Sequence, residues 1–184
     1  MSQLMMRRPG WDGLPPVPSC PEGTELAMAT AEDVQALAGL LASAFPEFHW
    51  TPSRAREAFV EDPYVPATFV VRSSDGRLLA TASAQWIPAY SPDGFLHWVA
   101  TAPEARGMGL GALVSLAAMH RLRELGFPAS RLSTDDERIP AIRTYLRLGF
   151  LPVVVDETHP GRWRALADQL PEWREAVLAA IGLG

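Results

Sequence analysis

Apolar residues recur along the chain with two periods, near 2 and near 3.6, and the switches between them outline the elements. Thr24–Ala29 predicts a short strand. Thr30 then stands where an N-cap belongs, with Glu32 and Asp33 in the first turn, where the helix dipole favours acids. Val34, Leu37, Leu40 and Leu41 share one helical face, which predicts a helix to about Ala44. Ser53 opens a second short helix with Ala55, Ala58, Phe59 and Val60 on its apolar side, and Pro63 ends it. Thr68–Val71 and Leu78–Gln85 flank Ser73-Ser74-Asp75-Gly76, a hairpin signal. Phe95–Thr101 is the next strand, introduced by the turn Ser91-Pro92-Asp93-Gly94. Leu110–Leu125 is the longest helix and is apolar around most of its early circumference, so it lies buried against a sheet until Gly126 stops it. Ala129–Ser133 predicts a strand, and Pro140–Leu148 a helix with proline at its start and Gly149 past its end. Phe150–Val155 predicts a strand and Glu172–Ile181 a last helix. The order strand, two helices, hairpin, strand, helix, strand, helix, strand defines an α/β (α+β layered) domain, with helices covering a central sheet.

Two segments fall outside that pattern. Residues 1–23 hold five of the 17 prolines (Pro9, Pro15, Pro16, Pro18, Pro21) and three glycines. Such a stretch predicts an arm or wrapping segment without a helix or a central strand, ahead of a single domain over 24–184. Trp11, Leu14 and Val17 give the arm apolar points at which to dock. His159-Pro160-Gly161-Arg162-Trp163 reads as a loop because of its proline and glycine, with Arg162 and Trp163 either closing over an acceptor or, the favoured reading, anchoring the C-terminal helix.

Composition narrows the class. With 184 residues, 48% apolar and 20% charged, the chain builds one cored domain and is not disordered. Net charge is −5 and all 16 basic residues are arginine, scattered along the chain, so no nucleic-acid partner is expected. Cys20 alone makes neither an internal disulfide nor a thiolate metal site; a cytoplasmic protein without a metal is expected. No apolar stretch approaches the ~20 residues that span a bilayer, so no membrane is expected.

One segment carries chemistry. The strand Phe95–Thr101 runs through Ala102-Pro103-Glu104-Ala105 into Arg106-Gly107-Met108-Gly109-Leu110-Gly111-Ala112 and on into the buried helix. Glycines at alternate positions leave no Cβ between backbone and ligand. Free N–H groups and the dipole at the helix start make an anion site for a phosphate or pyrophosphate, with Arg106 as a further donor. The spacing is neither the dinucleotide Gly-x-Gly-x-x-Gly nor a nucleoside-triphosphate loop, which would end in Lys-Ser/Thr. A tight strand-to-helix turn is the plainer reading of the same glycines.

Val99 to Leu113 resembles motif A of the Gcn5-related N-acetyltransferases. Ala141-Ile142-Arg143-Thr144-Tyr145-Leu146-Arg147-Leu148-Gly149-Phe150 is similar to motif B of that superfamily, in the right order and at the right distance. Motif A then occupies 95–115 and motif B 138–151. The resemblance implies a central mixed, mostly antiparallel sheet with a splayed pair of parallel strands and helices on both faces. It implies an acyl-CoA-dependent N-acyltransferase, with acetyl-CoA as donor and a primary amine of a small molecule or peptide as acceptor. The pyrophosphate would sit on the amides of Gly107, Met108, Gly109, Leu110, Gly111 and Ala112, with Arg106 and Arg138 within reach of a phosphate. The pantetheine arm would pair like an extra strand with Val99, Ala100 and Thr101, and a backbone N–H near Val99 would face the oxyanion. Sheet edges would let two chains form a homodimer. A non-catalytic CoA-binding sensor or interaction module on the same fold is the alternative.

Two side chains are candidates for the chemistry. Tyr145, four residues before Gly149, stands where the family commonly has its general acid for the departing thiolate. Alternatively, its ring packs on Ala141 and Ile142. His97 is the candidate base for the acceptor amine; strand alternation would place it on one side with Val99 and Thr101. Phe95 and His97 occupy the strand where the family often carries a carboxylate, and Arg138 the place where many relatives carry Asn. Asp135, Asp136 and Glu137 precede the motif B helix, as dipole partners or as a cradle for a cationic acceptor. Trp50, Trp86 and Trp98 are core or acceptor-pocket walls.

Overall fold

The computed structural model of the chain describes residues 2–184. Its strands are β1 (Leu4–Arg8), β2 (Thr24–Met28), β3 (Ala67–Ser73), β4 (Leu78–Gln85), β5 (Gly94–Thr101), β6 (Ser130–Thr134) and β7 (Leu151–Val153). Its helices are α1 (Val34–Ala44), α2 (Pro52–Arg56), α3 (Leu110–Glu124), α4 (Ile139–Arg147), α5 (His159–Gln169) and α6 (Arg174–Ala180). The strands form one mixed sheet in the order β2-β3-β4-β5-β6-β1-β7, antiparallel except for the pair β5 and β6. Strand β4 is buried from Leu78 to Ala84 without alternation, which requires cover on both faces. Helices α1 and α3 provide it, each packing on β4 and β5.

The N-terminal segment corrects the sequence reading. Leu4–Arg8 is an interior strand, paired antiparallel with β6 on one side and with β7 on the other. The prolines begin only at Pro9, so Leu4, Met5 and Met6 are free to donate to both ladders and lie buried. From Pro9 the chain wraps the surface: Trp11 Nε1 donates to the Phe127 carbonyl at 2.6 Å, and His120 Nε2 lies 2.9 Å from the Pro15 carbonyl.

A second correction concerns His159–Trp163. Proline at the start of a helix costs nothing, because its missing N–H is one that no helix would use. Pro160 stands in the first turn of α5, Trp163 is fully buried, and Arg162 pairs with Asp136. Both side chains thus fasten α5 itself, a helix where the sequence pattern predicts a loop.

Strands β5 and β6 meet only at Gly94–Ser130 and Phe95–Arg131, then diverge. Gly94 allows the close start, since a Cβ there would meet Leu122 Cδ2 of α3 at 2.7 Å. Two arginines, Arg7 of β1 and Arg131 of β6, donate to buried Asp93 at 2.6 and 2.7 Å and tie the same corner. The divergence is reinforced by a bulge in β5. Ser83 pairs with His97 but Thr81 with Ala100, so two residues, Trp98 and Val99, oppose Ala82 alone. Trp98 takes φ +49°, in the left-handed region.

Candidate functional site

The wedge between the diverging strands holds two connected spaces. The larger is an open groove of ≈ 710 Å³, running from the β5 edge past the start of α3 to the face of α4. Val99, Ala100, Thr101, Arg106, Gly107, Gly109, Leu110, Gly111, Ala112 and Arg138 all line it. Met108, grouped with them by sequence, points away and is exposed.

The groove's polar end is built by backbone. Gly109 is the N-cap of α3, with φ +78° and no side-chain cap, and Gly107 has φ +83°. Only glycine takes such angles readily, and a Cβ at either would point into open space. The first amides of α3 therefore remain free at the positive end of a 15-residue helix. Along the other wall, β5 beyond Phe95 has no β6 partner, so its outward N–H and C=O groups are open to an extended ligand. Sequence reasoning missed the opposite wall, where Arg143, Thr144 and Arg147 of α4 line the groove. The signal was present: Arg143 and Arg147 are four apart and share a helix face.

The smaller space is a chamber of ≈ 160 Å³ that shares Val99, Arg138 and Tyr145 with the groove. Phe45, Phe48 and Trp98 form one side, while Gln3, Ser133, Thr134 and Asp135 form the other. Trp98 is held by edge-on contacts to Phe45 and Phe48, with centroids at 5.4 and 5.1 Å, and to Trp50 at 4.7 Å. Trp50 itself is buried against Phe59, and Trp86 lies away at the surface beside Tyr64. Thr134 Oγ1 is buried and, among the described residues, without a partner. Gln3 Nε2 donates to Asp135 at 3.1 Å. Nothing in the sequence places Gln3 here, since it precedes β1, whose pairing partners on β6 lie more than 120 positions away.

The two catalytic candidates both line the chamber. Tyr145 is 5% exposed, edge-on to Phe150, and its hydroxyl has no bonding partner among the described residues. Burial pushes its pKa up to about 12, so the phenol keeps its proton at neutral pH. His97 Nδ1 lies against Gln85 Oε1, and its ring stacks on Trp98 at 4.6 Å. Burial lowers its pKa to about 4, so the imidazole is neutral at pH 7. The bulge corrects the expected alternation: His97 shares its sheet face with Ala100 and Ser83, while Thr101 pairs with Ala80 on the other.

Arg138 stands where the chamber opens into the groove. Its Nη2 donates to the Ala44 carbonyl at 2.8 Å, and its guanidinium lies 4.0 Å from the Phe45 ring centroid. Of the acidic cluster, Asp135 faces the chamber and Asp136 is taken by Arg162. Among the described residues, no group of three or more His, Cys, Asp or Glu could hold a metal ion, and no helix is long and apolar enough to cross a membrane.

The splayed parallel pair and the uncapped glycine-rich helix start are features that the resemblance to the Gcn5-related N-acetyltransferases implies. Comparison with known proteins agrees: the acetyltransferase (GNAT) family profile matches residues 34–150, and the chain belongs to that family. It is 32% identical over 159 residues to the mycothiol acetyltransferase of Thermomonospora curvata, covering 83% of this chain and 52% of that protein. The mycothiol acetyltransferase of Thermobispora bispora is 33% identical over 160 residues, 82% of this chain and 54% of the relative. The chain thus spans about half the length of these curated relatives. Among solved structures, a GCN5-related N-acetyltransferase from Kribbella flavida superposes with a TM-score of 0.57 and 26% identity, over 82% of this chain and 54% of that one. One from Sphaerobacter thermophilus, at TM-score 0.67 and 22% identity over 82% and 48% of the two chains, shares the fold.

Proposed function

We propose that the protein transfers an acetyl group from acetyl-CoA to a primary amine of a small molecule, by direct attack in a ternary complex. The observation that carries this reading is the groove itself. A free strand edge leads to an uncapped glycine-rich helix start, and the groove adjoins a smaller space at Tyr145. The pyrophosphate of CoA fits the free amides from Gly107 to Ala112, with Arg106 beside them. The amide-bearing pantetheine arm fits the open edge at Val99–Thr101. On this reading the thioester lies near Val99 and Tyr145, with a backbone N–H near Val99 facing the oxyanion.

The acceptor enters the chamber, whose volume of ≈ 160 Å³ admits a slim amine-bearing end and not a folded peptide surface. Its nitrogen attacks the carbonyl carbon, its excess proton passes to His97 Nε2, and the C–S bond breaks as the Tyr145 hydroxyl donates to the leaving sulfur. The imidazolium then passes its proton to water and the departed thiolate takes one from water, giving an amide and free CoA thiol. Cys20 lies on the proline-rich segment outside the lining of both spaces, which argues against an acyl-cysteine intermediate. A soluble cytoplasmic enzyme is the setting this chemistry suits.

Thermal unfolding with acetyl-CoA tests the first half of the reading. A ligand bound only by the native groove, at 100 times its dissociation constant, stabilises by about 2.7 kcal/mol. Thiol release over a panel of primary amines, including the unacetylated form of mycothiol, tests the second half. Absence of any shift at millimolar acetyl-CoA removes the proposal. A shift without turnover of any amine leaves a CoA-binding sensor.

A further inference from the structure

His97 is not alone in the wall of the chamber. Gln85, at the end of β4, pairs across the ladder with Phe95, two positions from the Ser83–His97 pair, so the two side chains share a face of the sheet. Its Oε1 meets His97 Nδ1. A carbonyl oxygen only accepts, so Nδ1 carries the hydrogen and the lone pair lies on Nε2. Among the described residues, Nε2 has no protein partner, and Gln85 makes no other side-chain bond. The ring is otherwise held only by apolar contact, flat on Trp98 at 4.6 Å and edge-on to Phe95 at 5.4 Å. Those contacts would hold a ring flipped by 180° equally well. Only the Gln85 amide distinguishes the two nitrogens.

We propose that Gln85 is a positioning residue: it fixes the Nδ1–H tautomer of His97, so that the Nε2 lone pair accepts the proton of the attacking amine. The inference rests on the reading of His97 as the base, and it names what makes that base directional. During attack the amine nitrogen bonds to the carbonyl carbon and becomes cationic, and the amide product forms only once that nitrogen gives up an N–H proton. The proton moves to Nε2 while Nδ1–H stays donated to Gln85, and the sulfur leaves with the C–S electron pair. Burial, which disfavours imidazolium, is partly offset in that state by the Gln85 carbonyl dipole. The ionisable groups sharing the chamber are Asp135, Arg138 and Tyr145; Ser83, Phe95 and Trp98 beside the ring carry no charge.

The test uses the full chain, without ligand, labelled with 15N at histidine. Wild type should show His97 in the Nδ1–H form throughout the neutral range. Gln85→Ala should leave thermal unfolding nearly unchanged while mixing the two tautomers of His97. Gln85→Glu, which substitutes a carboxylate, should move the His97 titration upward by about one pH unit or more. Thiol release from acetyl-CoA with water as acceptor, the probe that needs no identified amine, should fall roughly tenfold or more in Gln85→Ala, with acetyl-CoA affinity unchanged. An Nε2–H tautomer in wild type overturns the proposal, because the amide would then be donating through its nitrogen. So does an unchanged tautomer in Gln85→Ala. Failure of the base reading appears separately, as normal thiol release in His97→Phe, with the Gln85-dependent tautomer intact.

Discussion

Arg8 Nε donates to the carbonyl oxygen of Leu148 at 2.9 Å, so a residue from the N-terminal strand closes the C-terminus of the helix that carries Tyr145. A helix end leaves carbonyls without internal partners, and a buried one must find a donor elsewhere. Arg8 is 6% exposed, donates also to the Asp12 carbonyl at 2.8 Å, and burial lowers its pKa from the ordinary value. Gly149 permits the approach: it takes φ +83°, and a Cβ there would stand 3.2 Å from Arg8 Nε.

Arg8→Ala should therefore destabilise the fold by roughly 2–3 kcal/mol, the range for losing a charged donor to buried carbonyls. Arg8→Lys should recover little, because one ammonium does not reproduce the two-directional fork. Urea unfolding measures both variants. A loss under about 0.5 kcal/mol for Arg8→Ala would show that water replaces the guanidinium at this end.

That contact also marks where the sequence stopped being legible. The glycine-rich helix start, the long buried helix and the hairpin all follow from local rules: periodicity, caps and positive φ at Gly107 and Gly109. Strand β1 depends instead on pairings such as Leu4 with Thr134, and five residues beside a proline-rich stretch carry too little pattern to announce them. The bulge at Trp98 and Val99 is invisible for a different reason. Tertiary packing of Trp98 among Phe45, Phe48 and Trp50 holds a non-glycine residue at φ +49°, and no turn residue signals it. Its consequence, His97 out of phase with Thr101, was therefore beyond alternation rules. Tyr145 and His97 were singled out by residue type and motif; Gln3, Phe45 and Gln85 complete their surroundings only because three distant segments converge.

Replacing Gly109 by valine should impair acetyl-CoA binding far more than folding. The new side chain projects into the groove, where a Cβ meets nothing, but its branched carbons occupy the space needed by an anion on the α3 amides. Positive φ adds a folding cost of about 1–2 kcal/mol. Calorimetric titration with CoA beside urea unfolding separates the two effects. Normal CoA affinity in this variant would reduce the glycine loop to a turn.

His97 should give the fold an acid-sensitive term. Its folded pKa is about 4 against an ordinary 6.5, so between these values the unfolded chain binds a proton that the folded chain refuses. Stability then rises with pH across that window: the contribution is fully present above about 6.5 and is lost as pH falls toward 4. The shift corresponds to at most about 3 kcal/mol, less whatever solvent at the half-buried ring screens. Asp33 and Asp93, held below the usual carboxylate range by hydrogen bonds from Arg72 and Arg7, lose their contributions only at lower pH. Urea unfolding of wild type and His97→Leu from pH 7 to 4 should differ in slope across this range. Parallel curves would mean that the folded imidazole protonates as readily as the unfolded one.

Tyr145→Phe tests the chemistry at the other side of the chamber. The substitution keeps the ring, its contact with Phe150 at 6.2 Å and nearly all the buried area, so folding and acetyl-CoA affinity should change little. The size of the rate effect follows from the phenol's acidity. With its pKa near 12 and a thiol near 8.5, full transfer of the Tyr145 proton to a free thiolate would run uphill by about 5 kcal/mol. On the proposed reading the hydroxyl therefore serves as a hydrogen-bond donor to the sulfur as its charge grows, and the proton of the product thiol comes from water. A hydrogen bond to a charged group contributes about 1.5–3 kcal/mol, which corresponds to a roughly 10–150-fold slower chemical step without it. Pre-steady-state thiol release with the accepted amine, compared with the acetyl-CoA dissociation constant, reads the two quantities separately. A loss beyond about 10⁴-fold would restore full proton transfer as the role of Tyr145. An unchanged rate would make it a core aromatic, and weakened acetyl-CoA binding would make its hydroxyl a holder of the thioester and not a partner in its cleavage.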